Sequence, residues 1–200
     1  MELTQQNPDI GAYLAVGEAV DHDHPLVRAT AERLSATHSD AYAYAKAAYE
    51  FVRDAIPHSQ DSGDPRVTWR ASDVLGLGTG ICYAKSTAYA ALLRARAIPA
   101  ALCYQRLAEE DGSHPVIHGL VAVLLPGEER WARQDVRGNA PPGVDAQFSV
   151  GEERLAWAVR PEAGEVDYPV LYAEPHPVVL RALRVAADRP HLWRILPTAL

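Results

Sequence analysis

Apolar residues recur at helical spacing through the first half of this chain and at strand spacing after it. Ala41, Ala45, Ala48, Val52 and Ala55, with Tyr49 and Ile56 widening the stripe, predict a helix from Ser39 to about Ala55, ended by Pro57. Pro25 to Leu34 predicts a shorter helix, with Asp23 as its N-cap and the proline just inside its start. Ser72 predicts the cap of a short turn through Leu75, closed by the glycines at 76, 78 and 80. Ala84, Ala88, Ala91, Leu92 and Ala95 predict a third long helix, opening at Ile81 or Cys82, whose small residues allow close packing. After Pro99 the period changes to two, and Ala101 to Leu107, Val116 to Leu125 and Arg130 to Val136 predict strands. The middle one is apolar on both faces, as in a strand covered on each side. Residues 58–69 read as a polar surface loop, residues 138–170 as irregular, and Pro177 to Ala187 as a last helix. Helices followed by sequential strands predict an α+β fold.

Two hundred residues suit one domain, expected to span 1–200, and the net charge of -7 favours solubility over binding a polyphosphate backbone. No apolar run has the length of a membrane span, and the first residues carry no signal-like segment. With only two cysteines, Cys82 and Cys103, neither a disulfide framework nor a four-cysteine metal site is expected. The reading is therefore a cytoplasmic chain with no nucleic-acid or membrane partner.

The chemistry concentrates in three places. Gly78-Thr79-Gly80-Ile81-Cys82-Tyr83-Ala84-Lys85 puts a cysteine where a glycine-rich loop enters a helix. Free backbone N–H groups and the helix dipole favour negative charge there, on a thiolate or on an oxyanion beside it. A small buried apolar residue would suit the same position. His118 interrupts an apolar strand; such a histidine is often a core residue, but Gly119 beside it leaves room for a close neighbour. Asp135 follows on the next strand, where it would otherwise pair with Arg133 or Arg137. If Pro126-Gly127-Glu128-Glu129 forms the loop, paired residue numbers sum to 255 and Asp135 is the diagonal neighbour of His118 on one face. A two-residue turn at Pro126-Gly127 gives 253 and makes them direct partners. A carboxylate on one ring nitrogen orients the imidazole and stabilises its protonated form, which defines a Cys82, His118, Asp135 triad.

Gly80-Ile81-Cys82-Tyr83-Ala84, the run Ala91 to Ala100, His118 and Asp135 together resemble the core motif of the transglutaminase-like superfamily. Val52 to Ser59, Cys103 to Leu107, Arg137-Gly138-Asn139 and Asp145 to Ser149 resemble a bacterial branch of it. The similarity covers about residues 45–175. It implies a papain-like α+β arrangement, with the cysteine on a helix start packed against an antiparallel sheet that carries the histidine and aspartate. Two positions depart from the pattern. Ala97 stands where the superfamily usually has glycine after the helix, and Tyr83 stands where eukaryotic transglutaminases have tryptophan.

The expected activity is acyl transfer from, or hydrolysis of, a peptide or small amide bond through an acyl-enzyme at Cys82, with hydrolysis favoured over cross-linking and no cofactor or metal required. The alternative is a binding or scaffold domain that keeps this fold without turnover. Tyr83, His58, Ser59 and Gln60 are expected around the cleft as substrate or oxyanion contacts, Gln60 as a second oxyanion donor. Asp21-His22-Asp23-His24 has acceptable metal ligands but reads as a solvated loop before a helix.

Overall fold

The computed structural model describes residues 1–38 and 40–200. Seven α-helices among them surround one face of a four-stranded antiparallel sheet. They are α1 (Pro25–Ser35), α2 (Ala41–Ala55), α3 (Ser59–Ser62), α4 (Ala71–Leu77), α5 (Cys82–Arg94), α6 (Pro177–Val185) and α7 (Arg189–Arg194). The sheet order is β4 (Ala132–Gln134), β3 (Val116–Val123), β2 (Ala100–Leu107), β5 (Val166–Asp167). A two-residue strand β1 (Thr4–Gln5) pairs in parallel with β6 (Val170–Leu171).

Alternation along β2 and β3 separates two apolar clusters. Leu102, Tyr104, Ile117, Val121 and Val123 join the helices in the larger one. Ala101, Cys103, Leu120 and Ala122 form the smaller one with Tyr13 and Leu171. Covered on both faces, β3 is apolar throughout except at His118, as its sequence predicts.

Every residue of α5 is buried, so this helix is the axis of the fold rather than an amphipathic surface helix. Its alanines let α2 and α4 approach. Hydroxyls of α2 and α5 meet backbone carbonyls, Tyr44 donating to Leu92 O at 2.6 Å and Tyr89 to Ala45 O at 3.1 Å. Two cations lie inside this apolar setting. The Arg94 guanidinium donates to Ala100 O, Ala15 O and Ala173 O. Lys85 Nζ donates to Ile56 O at 2.6 Å, Arg137 O at 2.9 Å and Arg53 O at 3.2 Å.

Several helix starts differ from the sequence reading. His24, not Asp23, caps α1, its Nδ1 accepting the Leu26 N–H at 3.2 Å. The start of α2 is capped by Asp40, which accepts from Ala43 N at 2.8 Å; Ser39, the expected opening, lies outside the described residues. Ser72 is one residue inside α4, not its cap, and bonds Asp21 through both its N–H and its hydroxyl. The 58–69 loop folds partly inward, with His58, Ser59 and Thr68 buried and α3 inside it. The last helix stops at Val185, and α7 follows as an element the period did not reveal: Pro190 masks a short helix whose cap is Asp188.

Ala97 carries out the helix termination expected of glycine. It adopts φ 56°, and the Ile98 N–H reaches back to Leu93 O at 3.1 Å in a Schellman-type closure. An L-residue in that conformation costs about 1–2 kcal/mol, partly offset because alanine has less freedom to lose than glycine on folding. Ala97→Gly is therefore expected to stabilise the protein by about 0.5–1 kcal/mol. A lowered urea midpoint for this variant would contradict the strain.

Candidate active site

The register of β3 with β4 pairs Val121 with Gln134, Ala122 with Arg133 and Val123 with Ala132, so residue numbers sum to 255. That corresponds to the four-residue loop at 126–129 and not to the two-residue turn. His118 and Asp135 consequently share a sheet face as diagonal neighbours. β4 ends at Gln134, leaving the β3 edge at His118 without a strand beside it. The first turn of α5 abuts β3 at this level. A Cβ on Gly119 would lie 2.9 Å from Tyr83 Cδ1 and 3.1 Å from Tyr83 Cα. Glycine is thus the residue that allows the cysteine-bearing turn against the histidine-bearing strand. Tyr83 seals the contact by donating its hydroxyl to Ile117 O at 2.5 Å; it is buried structure rather than cleft lining.

His118 Nε2 meets Asp135 Oδ2 at 2.8 Å, which leaves Nδ1 for Cys82. Burial opposes a charged ring, but the Asp135 carboxylate and a hydrogen bond and charge from Cys82 outweigh it, holding the His118 pKa above its ordinary value. Asp135 is fully buried; burial would raise its pKa, yet it is held below the usual carboxylate range by His118 and by the N–H groups of Arg137 and Ala156. Those two backbone donors reach Oδ1 at 3.0 Å and Oδ2 at 3.1 Å. Tyr49 fixes the same residue from behind, donating its hydroxyl to Asp135 O at 2.8 Å.

Cys82 and His118 open into a cleft of about 660 Å³ whose walls include His58, Arg137, Trp157 and Trp193. Trp157 stands edge-on to the His118 ring at 5.3 Å, and the Arg137 guanidinium lies 5.4 Å from the Trp157 ring centre. Arg137 is itself held by two bonds to Asp61, at 2.7 and 2.9 Å. Of the loop residues expected at the cleft, His58 lines it. Ser59 is buried behind it, its N–H donating to Gly80 O at 3.1 Å. Gln60 is exposed, and its side-chain oxygen accepts from Arg189, so it does not reach the cleft as an oxyanion donor.

Trp157, Arg137 and Trp193 escaped the sequence reading. In the sequence Arg137 stands out as a partner for Asp135 and within a family-like run, not as a cleft residue, and Trp157 and Trp193 sit in the irregular segment and in α7, where no periodicity marks them. Cys103 lies with Leu120 and Ala122 on the face away from α5, both thiols are free, and burial pushes its thiol pKa up to about 12. The Asp21 to His24 run is engaged structurally: Asp21 on Ser72, His22 Nε2 on Leu14 O, His24 on the start of α1. No helix among the described residues is long and apolar enough to cross a membrane.

The sequence profile of the transglutaminase-like superfamily matches residues 28–136, more than half of the chain and the stretch from α1 through Asp135. The chain belongs to the transglutaminase-like superfamily. Among solved structures it is similar to a candidate cysteine protease from Cytophaga hutchinsonii, at 20% identity and a TM-score of 0.53, over 66% of this chain and 43% of that one. It is also similar to a structure described as a TGase, at 16% identity and a TM-score of 0.44, over 77% of this chain and 43% of the other. The chain thus spans less than half the length of each. No curated protein matches it. The mixed helix and sheet architecture is that of the superfamily, as its motif residues imply.

Proposed function

We propose that this protein forms an acyl-enzyme at Cys82 and acts on a peptide or small amide bond. The observation that carries the reading is the buried 2.8 Å bond between His118 and Asp135, with a hydrogen bond from Cys82 to the same imidazole and both Cys82 and His118 lining an open cleft. Cys82 Sγ attacks the carbonyl carbon, its proton passes to His118, and the carbonyl π pair moves to oxygen. Collapse of that tetrahedral species breaks the C–N bond, and the amine leaves with the proton from His118. Water or an amine then attacks the thioester, the imidazole again taking and returning the proton. Asp135 orients the ring and offsets its positive charge throughout.

Hydrolysis is favoured over cross-linking, because Tyr83 is committed to Ile117 O beneath the cleft and offers no aromatic surface to an incoming acceptor. The similarity to a candidate cysteine protease supports a peptide as substrate.

The two thiols give a direct test. Iodoacetamide near neutral pH is expected to modify Cys82 at least tenfold faster than Cys103, which has no exposed surface and a raised pKa. Peptide-mass mapping reads both sites at once, and a panel of electrophilic peptide and amide probes then ranks substrates. Equal or preferential labelling of Cys103 removes the nucleophile from this reading. A chain that never forms an adduct at Cys82 is the binding domain.

A further inference from the structure

His58 is only 5% exposed, yet it belongs to the wall of the cleft that holds Cys82 and His118. Its backbone runs parallel to Gly80, two residues before the cysteine, so the loop that delivers the nucleophile and the segment that delivers His58 are fastened together. The ring's Nδ1 accepts the Gln60 N–H at 3.3 Å and so starts α3. A neutral imidazole with Nδ1 as acceptor carries its proton on Nε2. Among the described residues no acceptor takes that proton.

Burial and the charges around the ring keep it neutral. Burial first, then the nearby Arg137 guanidinium, with lesser contributions from Lys85 and His118, pull the His58 pKa down to about 3; Asp61 alone works the other way. The same cleft therefore holds two histidines with opposite tendencies: His118, which favours its proton, and His58, which refuses a second one. A group fixed as a neutral donor suits charge that develops on a substrate, since it neither titrates nor competes for the proton His118 must carry.

We propose that the Nε2–H of His58, together with the Cys82 backbone N–H, holds the oxygen that becomes negative when Cys82 attacks a carbonyl carbon. This rests on the acyl-enzyme reading. As the S–C bond forms, the carbonyl π pair moves onto that oxygen, which accepts both hydrogen bonds; no proton leaves His58, and the pair returns to the carbonyl when the amine departs. One nitrogen of His58 thus caps a helix while the other faces the reaction, and Gln60, expected in this role from sequence, contributes its backbone N–H to fix the tautomer.

Alkylation and acylation of the same thiol separate this role from a structural one. Iodoacetamide reacts by displacement at a saturated carbon and builds no oxyanion, whereas p-nitrophenyl acetate acylates through one. His58→Phe, which keeps the ring's bulk, is expected to slow acylation of Cys82 by about 10²–10³-fold while alkylation changes by less than about threefold. His58→Gln, which supplies an amide N–H, is expected to recover at least about tenfold of the loss. Acylation of the His58→Phe protein at the wild-type rate overturns the proposal. So does a parallel fall of acylation and alkylation in both variants, which assigns His58 to shaping the thiol. Wild-type protein that is alkylated at Cys82 but never acylated overturns the acyl-enzyme reading itself, and the His58 role with it.

Discussion

Cys82→Ala is expected to abolish every covalent adduct while leaving the fold intact. The residue begins a helix through its backbone, and the side chain lost is small, at the floor of an open cleft. His118→Ala is expected to lower turnover by about 10³-fold or more, because in the proposed mechanism thiol deprotonation and protonation of the leaving amine both pass through its ring. Asp135→Asn keeps a hydrogen-bonding group but loses the countercharge and favours the wrong tautomer, so a smaller loss is expected. In the proposed mechanism the three act as a unit, so Cys82→Ala with His118→Ala should be hardly worse than Cys82→Ala alone. Turnover of the best probe substrate measures all four variants, and full turnover by Cys82→Ala would place the nucleophile elsewhere.

Lys85→Met is expected to be the most destabilising single change in the site region. Lys85 lies one turn beyond Cys82, has no exposed surface, and burial pulls its pKa down to about 7. Two of its acceptors, Arg53 O and Ile56 O, belong to the end of α2, and the third is Arg137 O, two residues beyond Asp135. Methionine fills the space and leaves three buried carbonyls without donors. At about 1–3 kcal/mol for each unsatisfied group, with partial relaxation, the loss is about 3–5 kcal/mol, a large share of the stability of an ordinary domain. Urea denaturation followed by circular dichroism checks this; a loss below about 1 kcal/mol would mean that water or a shifted backbone replaces the ammonium.

The long elements were legible because one signal governs each. The alanine stripe of α2, the small residues of α5 and the apolar run of β3 are all consequences of burial, and burial writes its period directly into residue type. The relation between His118 and Asp135 was legible for a geometric reason: an even loop preserves the side-chain alternation, whichever turn is chosen. What could not be read depended on contacts distant along the chain. Asp135 is held in part by the Ala156 N–H, 21 residues away in a segment without periodicity. Lys85 looks like an ordinary charged helix position until two carbonyls from the end of α2 and one from the 137 peptide surround it. Capping failed at the level of single residues, since Asp23 and His24 are adjacent and both can accept from a helix N–H. His58 was placed near the cleft, but its tautomer follows from the neighbouring Gln60 N–H, which only the folded backbone supplies.

The placement of the chain's second cysteine governs how Cys82 responds to oxidants. A sulfenic acid is rescued when a nearby thiol condenses with it, and redox-sensing sites carry such a resolving cysteine beside the reactive one. Cys103 points into the small cluster on the sheet face away from α5 and is sealed there with Ala101, Leu120 and Ala122. Cys103 is therefore no resolving partner for an oxidised Cys82. A disulfide that protects the oxidised sulfur would then need a thiol diffusing into the cleft, and further oxidation would lead to the sulfinic acid, which cellular thiols do not reverse.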